Sequence, residues 1–439
     1  MPPGSPVRSL DTRSAEFESE FAVLESRRRV EREALEESVA AILADVRRRG
    51  DLGVISAIER FDGYRLSADE LALSRGEIEA GAEQLEEGDA AAIALAAERI
   101  RRFHSQRVPE SWCERRDGER LGQLVRPLKR VAMYAPGGNA PLASTVLMLG
   151  IPADVAGVPH LVLTSPGRQL TPAMLEAARR AGVERVYRMG GAQAVAALAY
   201  GTESVERVDK ITGPGNAYVQ EAKRQVFGEV AIDAEAGPSE VFIVAEADAS
   251  PVLLAADLLA QAEHDVMSGV VLATPSEALS RATLEQLEKQ LADLPTAEVA
   301  RQALEYGGAL IVTRDLDQAF ELANRYAPEH LQLFVSDADA WLPRIENAGA
   351  IFVGPYSPVP LGDYVAGPSH VLPTAGTARF FSVLGVEDFQ KRMSLVEFSR
   401  REFERLAPAA ARLARLEGLI AHSRALEVRT KAAGLDPGE

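Results

Sequence analysis

Cysteine and long apolar runs are both scarce in this chain of 439 residues. The single cysteine, Cys113, excludes an internal disulfide framework and suits a reducing compartment such as the cytoplasm. No stretch approaches the roughly eighteen consecutive apolar residues that a membrane span requires. The N-terminus also lacks the apolar core and small-residue cleavage site of a signal peptide. We therefore expect a cytoplasmic protein that has no membrane partner.

Net positive charge is absent too, because 65 acidic residues outnumber 48 basic ones and leave a net charge of −17. Such a chain is not expected to bind nucleic acid as a general partner. An anionic cofactor is still compatible, since backbone amides at a helix N-terminus bind phosphate locally. The length and the 46% of hydrophobic residues are typical of a globular protein with two or three domains.

Short apolar runs alternate with amphipathic helical stretches from Arg130 onward, whereas the chain before it has mostly helical spacing. We predict nine strands, at residues 130–135, 160–165, 185–190, 208–211, 241–246, 269–274, 309–314, 331–336 and 350–355. Strands that alternate with helices indicate parallel sheets covered on both faces. Nine predicted strands over this length favour two doubly wound units over a single one. After Glu387 the chain is predicted to be helical to its end, so the fold class is α/β with helical N- and C-terminal extensions.

Three glycine-rich turns follow predicted strands and open predicted helices, at residues 134–139, 190–193 and 213–216. Glycine allows a positive φ and the close backbone approach that a pyrophosphate or ribose requires. None of the turns is a dinucleotide fingerprint. Gly213-Pro214-Gly215 has Tyr218 where a third glycine should fall, and no well-placed acidic residue follows it. From spacing alone, these turns either contact a nucleotide or simply connect strands tightly to helices.

Six histidines occur, and two of them have informative neighbours on regular elements. Gln261 and His264 are spaced i and i+3 on an amphipathic helix, so they share a face and either hold one cation or form a polar helix surface. Glu329 and His330 lie between a helix and a strand. Adjacent residues there point in different directions, so they either serve two proton transfers or merely mark the end of a helix and the start of a strand.

A third histidine, His370, shares a loop with Asp363 that runs from residue 354 to residue 374 without periodicity. Long loops inside a compact domain are usually functional or disordered, and the aromatic and proline content here argues against disorder. His422 follows a glycine that interrupts a C-terminal helix. His104 and His160 occupy ordinary helix and strand-edge positions, and we expect structural or surface roles for them.

Eight segments together resemble the histidinol dehydrogenase family and occur in the family's order between about residues 130 and 430. They are YAPGGNAPLASTVLM, MGGAQAVAALAYGTESVERVDKITGPGNAYVQEAKRQV, AGPSEVFIVA, DLLAQAEH, NRYAPEHL, GDYVAGPSHVLPT, DFQKRMS and EGLIAHSRALEVR. The resemblance implies two incomplete, Rossmann-like domains, one of which binds NAD without the usual fingerprint. It also implies oxidation of L-histidinol through L-histidinal to L-histidine with reduction of two NAD, the last step of histidine biosynthesis.

The resemblance also implies a role for individual residues. The predicted NAD contacts are Tyr134, Gln193 and Asn216. The predicted ligands of one Zn²⁺ per subunit are Gln261, His264, Asp363 and His422. The predicted acid/base pair is Glu329 and His330. The predicted substrate contacts are Ser239, His370 and Glu417, together with Gln261, His264, His330, Asp363 and His422.

Four segments divide the predicted chain. They are an N-terminal helical arm (1–30), a catalytic zinc and substrate domain (31–128 plus 240–383), an NAD-binding domain (129–239) and a C-terminal helical tail (384–439). The resemblance implies a homodimer in which this tail crosses to the partner and completes its active site. The sequence agrees with a tail that is separate from the sheet domains.

Two rival functions use the same residues. One is a zinc- and NAD-dependent dehydrogenase of the same fold that acts on another alcohol. The loop at 367–370 supports this rival, because it reads Gly-Pro-Ser-His where the family usually has Gly-Thr-Asn-His. The other is a zinc hydrolase, in which the metal and the Glu-His pair activate water. The hydrolase leaves the three glycine-rich turns without a role.

Overall fold

The computed structural model describes residues 6–26, 33–136, 142–234 and 237–432. The chain forms two compact units. The first contains residues 1–107 and 128–389, and the second contains residues 108–127 and 390–439. Residues 108–127 were expected in the catalytic domain, but they group with the C-terminal segment.

The strands and helices alternate through most of the first unit. The strands are β1 (Arg8–Asp11), β2 (Ala72–Leu73), β3 (Trp112–Arg116), β4 (Glu119–Pro127), β5 (Arg130–Tyr134), β6 (His160–Thr164), β7 (Arg185–Tyr187), β8 (Lys210–Thr212), β9 (Ala231–Ile232), β10 (Glu240–Ala245), β11 (Gly269–Thr274), β12 (Gly308–Val312), β13 (His330–Phe334), β14 (Ala350–Val353) and β15 (Gln390–Phe398). The helices are α1 (Phe17–Ser26), α2 (Glu33–Arg49), α3 (Asp51–Phe61), α4 (Arg75–Ala82), α5 (Glu87–His104), α6 (Ala143–Val155), α7 (Pro172–Arg180), α8 (Gly191–Tyr200), α9 (Ala217–Val226), α10 (Pro251–Ala262), α11 (Glu277–Leu291), α12 (Ala297–Gly307), α13 (Leu316–Tyr326), α14 (Ala338–Trp341), α15 (Val359–Tyr364), α16 (Arg400–Leu416) and α17 (Ile420–Ala432).

All nine predicted strands form, and they supply most of two six-stranded sheets in the first unit. The first sheet has the order β1-β12-β11-β10-β13-β14, and every neighbouring pair is parallel. Every residue of β10, β11 and β13 is buried, as expected for central strands covered on both faces. The α/β fold class is therefore confirmed.

The second sheet has the order β2-β7-β6-β5-β8-β9, with only the β2–β7 pair antiparallel. The chain leaves β5 for β6 and β7 on one side and then returns to β8 on the other side of β5. In open parallel sheets, ligands bind outside the carboxyl ends of the strands where the order reverses in this way. The three glycine-rich turns follow β5, β7 and β8, so their described residues begin at this edge.

Six of the fifteen described strands were not anticipated: β1, β2, β3, β4, β9 and β15. β1 and β2 extend the two sheets from a region that was expected to be helical. β15 corrects the prediction of helix after Glu387, because residues 390–398 pair antiparallel with β4. The side chains of β15 are half-buried or exposed throughout, so no apolar alternation marks the strand in the sequence.

The second unit consists of a three-stranded antiparallel sheet, in the order β15-β4-β3, and the helices α16 and α17. Gly418, with a φ of 75°, lies between the two helices and ends the first of them. The interruption predicted from this glycine is therefore confirmed. Among the helices that the structure describes in either unit, none is long and apolar enough to cross a membrane.

Candidate active site

His330 is the first residue of β13, directly after the short connection from α13. Ala327, with a φ of 49°, ends α13 in the left-handed conformation, and the chain turns directly into the strand. The strand is central in the first sheet, so the side chain of His330 is only 4% exposed. Glu329 precedes it and is 6% exposed. The fold therefore buries two adjacent titratable side chains.

The hydrogen bond of His330 fixes which ring nitrogen carries the proton. Nδ1 lies 2.8 Å from the backbone carbonyl oxygen of Glu240, and a carbonyl oxygen can only accept, so Nδ1–H donates. Burial lowers the pKa of His330 to about 4, so the ring is neutral near pH 7. Nε2 therefore carries the lone pair, and it lies 3.9 Å from Oδ1 of Asp363. Such a nitrogen can accept a proton from a bound molecule.

The pKa of Glu329 is shifted in the opposite direction, upward. Burial raises the pKa of its carboxyl group well above the usual range, and the Glu240 N–H that donates to Oε2 at 2.8 Å only partly opposes this. The side chain of Ser239, just before β10, opposes it further through a hydrogen bond. Burial thus favours the protonated form of Glu329 beside the neutral His330. The site thus contains a proton donor and a proton acceptor.

Asp363 and His370 are brought together by the loop that contains α15. Nδ1–H of His370 donates to the backbone carbonyl of Asp363 at 2.9 Å, and the Thr145 hydroxyl lies 3.2 Å from Nε2. Both ring nitrogens therefore have partners in the protein, and burial lowers the pKa of His370 to about 4. Burial raises the pKa of Asp363 to about 6, and the nearby charge of His264 opposes the rise.

Gln261 and His264 lie at the end of α10. Gln261 is 2% exposed, and neither its amide oxygen nor its amide nitrogen has a hydrogen-bond partner among the described residues. His264 falls two residues beyond the helix, is exposed, and lies near enough to affect the pKa of both Asp363 and His330 by its charge. His264 thus lies within electrostatic range of Asp363 and His330, three residues after the buried Gln261.

The side chains of Gln261, His264 and Asp363 offer donor atoms that suit zinc. An amide oxygen, an imidazole and a carboxylate are all donors that Zn²⁺ accepts, and the buried Gln261 amide lacks any other partner. Within the described ranges, no three His, Cys, Asp or Glu side chains are grouped closely enough to hold a metal ion. The predicted ligand set does not need such a group, because one member is an amide and another, His422, belongs to the second unit.

His422 and Glu417 lie in the second unit, on either side of the break at Gly418. Glu417 follows α16 directly, and His422 lies in the first turn of α17. Both side chains are exposed within their unit. They are therefore accessible for contacts outside it.

The three predicted NAD contacts line one cavity of about 490 Å³ at the switch point of the second sheet. The Tyr134 hydroxyl accepts the Gly191 N–H at 2.9 Å, and burial raises the pKa of Tyr134 to about 12, so its own proton stays available for donation. Asn216 Oδ1 caps α9 by accepting the Val219 N–H at 3.1 Å. Gln193 lies in the first turn of α8. Residues 137–139 of the first turn lie outside the described residues.

Among the lining residues that the sequence analysis missed, two are adjacent in the N-terminal region. Phe61 and Asp62 come from the end of α3, in the N-terminal helical region. Neither lies in a glycine-rich turn or another recognisable motif. Only the packing of α2 and α3 against α8 brings this region to the second sheet, so no local pattern could have identified them.

Comparisons with known proteins agree on one family. The model of the histidinol dehydrogenase family matches residues 25–430. The histidinol dehydrogenase of Syntrophotalea carbinolica is 47% identical over 97% of this chain and 99% of its own length. That of Moorella thermoacetica is 50% identical over 92% of this chain and 96% of its own. The crystal structure of histidinol dehydrogenase from Elizabethkingia anophelis matches with a TM-score of 0.92 at 35% identity, and the match covers 98% of this chain and 99% of that one.

Proposed function

The chain belongs to the histidinol dehydrogenase family, and on that premise we propose that it oxidises L-histidinol to L-histidine in two steps that reduce two NAD. L-histidinal is the intermediate, and the reaction is the last step of histidine biosynthesis. The observation that carries the proposal is the buried, neutral His330, whose proton is held on Nδ1 by the Glu240 carbonyl. It provides a base at Nε2 in a site that excludes most water.

Each oxidation removes a hydride from carbon and a proton from oxygen, so a base must reach the hydroxyl group. NAD held by Tyr134, Gln193 and Asn216 would supply the hydride acceptor. His330 takes the proton at Nε2 and becomes an imidazolium. Its Nδ1–H stays hydrogen-bonded to the Glu240 carbonyl at 2.8 Å, which keeps the ring oriented and favours the positive charge. The alcohol becomes an aldehyde in the first step, and the hydrated aldehyde becomes a carboxylic acid in the second.

The aldehyde must add water before a second hydride can leave, and we assign this step to Glu329. Burial raises the pKa of its carboxyl group and so favours the protonated form. A cation bound beside Asp363 would favour release of that proton. The carboxylate then accepts a proton from the attacking water, and the resulting diol presents a new hydroxyl to His330.

We assign the cofactors to residues described above. NAD is assigned to the cavity lined by Tyr134, Gln193 and Asn216. Zn²⁺ is assigned to Gln261, His264, Asp363 and His422, one ion per subunit, where it would hold the substrate's nitrogen atoms and orient its hydroxyl group. The unpartnered amide of Gln261 supports this assignment.

We further propose a homodimer in which residues 384–439 cross to the other copy. His422 would then complete the partner's zinc site, and Glu417 would contact the partner's substrate with Ser239 and His370. The exposure of Glu417 and His422 within their own unit supports this arrangement. The division into four segments and the cytoplasmic location belong to the same proposal, and the location is supported by the single cysteine.

The test is NADH formation by the purified chain with Zn²⁺, NAD and L-histidinol, beside other amino alcohols and a chelated sample. We expect activity with L-histidinol, and its loss on chelation followed by recovery with Zn²⁺. The second candidate, oxidation of another alcohol, is favoured only by the altered loop at Pro368 and Ser369. Faster turnover of another amino alcohol than of L-histidinol would replace the first proposal with the second.

A further inference from the structure

Asp62 is a partly buried carboxylate that the proposed mechanism does not use. It follows the last residue of α3, and its backbone N–H donates to Ile58. Its Oδ2 atom is fully buried and has no hydrogen-bond partner in the described parts of the chain. A buried carboxylate oxygen without a donor costs free energy, and desolvation accordingly raises the pKa of Asp62. Such an oxygen is suited to a donor that a ligand supplies.

Asp62 belongs to the cavity assigned to NAD. Asp62 lines this cavity together with Tyr134, Gln193 and Asn216, and it is the only acidic residue among the described lining residues. Its negative charge contributes to the raised pKa of Tyr134, after the larger effect of burial, so the carboxylate lies near the Tyr134 hydroxyl. That hydroxyl in turn contacts the N-terminus of α8 through Gly191.

Two aromatic rings on the same cavity indicate where a base would bind. Phe61 and Tyr218 line the cavity and are 51% and 47% exposed, so both rings have surface that a base can cover, although the Arg60 guanidinium already lies over one face of Phe61, 5.0 Å from its centroid. The N-terminus of α8 suits a diphosphate. If a dinucleotide places its adenine on these rings and its diphosphate at α8, the adenosine ribose that links them lies between the rings and the helix. Asp62 is bonded to Phe61 and lies close to Tyr134, so it occupies this intermediate position.

We propose that Asp62 accepts hydrogen bonds from the hydroxyl groups of the adenosine ribose and thereby sets the preference for NAD over NADP. This inference rests on the proposed function. In dinucleotide-binding folds the role falls to an acidic residue about twenty positions beyond the glycine-rich turn. Here the carboxylate comes instead from a helix that precedes the whole second sheet. A 2′-phosphate would bring further negative charge against Asp62 and would remove one of the two hydroxyl donors.

Arg168 is the cation whose charge acts on Asp62, so it is the side chain that could bind a 2′-phosphate instead. Its charge opposes the rise in the pKa of Asp62. Its guanidinium donates to the Gly63 carbonyl at 3.2 Å and lies over the Tyr64 ring, 5.1 Å from the centroid. It is therefore already engaged by the segment that follows Asp62. If Arg168 instead released these contacts to bind a 2′-phosphate, the preference would be for NADP, and the test below separates the two outcomes.

The test measures binding by calorimetry, with NAD, NADP and nicotinamide mononucleotide as probes of the metal-loaded protein. Asp62→Ala removes the acceptor, and Asp62→Asn removes only the charge. Glu59→Ala and Glu59→Gln are matched controls, because Glu59 is an exposed acid one turn earlier on α3 and does not line the cavity. Melting temperatures of all variants show whether each one folds.

For wild type we expect NAD to bind at least about tenfold more tightly than NADP. Asp62→Ala should weaken NAD binding about tenfold, and Asp62→Asn should reduce the ratio of NADP to NAD dissociation constants about tenfold. Binding of nicotinamide mononucleotide, which lacks the adenosine ribose, should not change. The Glu59 variants should match wild type.

Failure of the proposed function and failure of this inference give different results. If wild type binds neither NAD nor NADP, the proposed function fails. Tight NAD binding that is unchanged in both Asp62 variants would overturn this inference and leave the proposed function standing. A wild-type preference for NADP, or an equal loss of mononucleotide binding in Asp62→Ala, would also overturn it.

Discussion

At the scale of single residues, the proposed reaction depends most on which ring nitrogen of His330 carries the proton. His330 has a buried ring whose Nδ1–H is fixed on the Glu240 carbonyl, so Nε2 is the position that can receive a proton. Neutral histidine at the site is a consequence of burial, which lowers its pKa to about 4. The base is therefore ready at neutral pH without any conformational change of the ring.

Replacing this base tests the assignment of its role. His330→Asn should lower kcat on the order of a hundred- to ten-thousandfold, because Nε2 no longer accepts the hydroxyl proton. Zinc content by atomic absorption and NAD affinity should stay within about twofold of wild type, since these interactions are assigned to other residues. His160→Asn, at a strand edge, is the matched control. Loss of metal together with activity would show that His330 is instead a ligand.

Burial of His370 predicts a pH dependence of stability. Its pKa is about 4 in the folded protein, against 6.5 for an ordinary histidine, so between these values the unfolded state binds more protons. Stability from this group therefore rises with pH through the window and is lost on acidification. In chelated protein, wild type should lose about 2 kcal/mol more than His370→Gln between roughly pH 6.5 and 4.5. Urea unfolding at several pH values measures the difference, and equal slopes would contradict it.

At the scale of elements, the turn after β8 is held by a buried ion pair. Lys223 of α9 and Asp233 after β9 have side chains that are 1% and 5% exposed. Lys223 donates to the Gly213 carbonyl at 2.8 Å, and Asp233 accepts the Gly213 N–H at 2.6 Å. Gly213 has a φ of 113°, and a Cβ there would lie 2.2 Å from the Tyr134 carbonyl oxygen. Glycine and the ion pair together shape this turn beside the cavity.

Breaking one half of this pair should therefore affect both stability and binding. Lys223→Met leaves the carboxylate of Asp233 buried and unpaired, and we expect a loss of about 3–5 kcal/mol in the free energy of unfolding. NAD affinity should fall as well, because the turn that carries Asn216 loses its support. The matched control is Arg75→Met, which breaks the exposed pair with Glu79 and should cost less than about 1 kcal/mol. Similar losses in the two variants would contradict the argument.

Elements were predictable from the sequence where burial leaves a pattern. The nine strands that form the cores of both sheets were identified because fully buried parallel strands are continuous apolar runs, as in 269–274. β15 was wrongly predicted as helix because an exposed antiparallel strand has no such run. β1 and β2 have only four and two residues, too few for periodicity to register.

The candidate site was predictable to a different extent. Spacing, adjacency and loop length marked Gln261, His264, Glu329, His330, Asp363 and His370 as candidates, and the resemblance assigned their roles. Asp62 and the Glu240 carbonyl could not be selected, because their importance depends on contacts between segments far apart in sequence. A hydrogen bond to a backbone carbonyl leaves no signature in the sequence.

At the scale of the whole molecule, the proposal requires two chains for one active site. His422 and Glu417 belong to the second unit, and their exposure suits a contact outside it. In a twofold dimer with exchanged tails, each site combines the body of one chain with the tail of the other. Inactive chains with damage in different parts can then complement each other.

This arrangement predicts activity from a mixture of two inactive variants. His330→Asn damages the body, and His422→Ala damages the tail. After co-refolding in equal amounts, about half of the dimers are mixed and each has one intact site, so about a quarter of wild-type activity should return. Mixing His330→Asn with Glu329→Gln, both in the body, is the control and should restore nothing. No recovery in the first mixture would exclude an exchanged tail.

The most direct test of the account is the ratio of NADH formed to L-histidinol consumed by the zinc-loaded protein. Two oxidations at one site, both with His330 as the base, predict a ratio of two without release of the aldehyde. A ratio of one, with free L-histidinal accumulating in solution, would contradict the account.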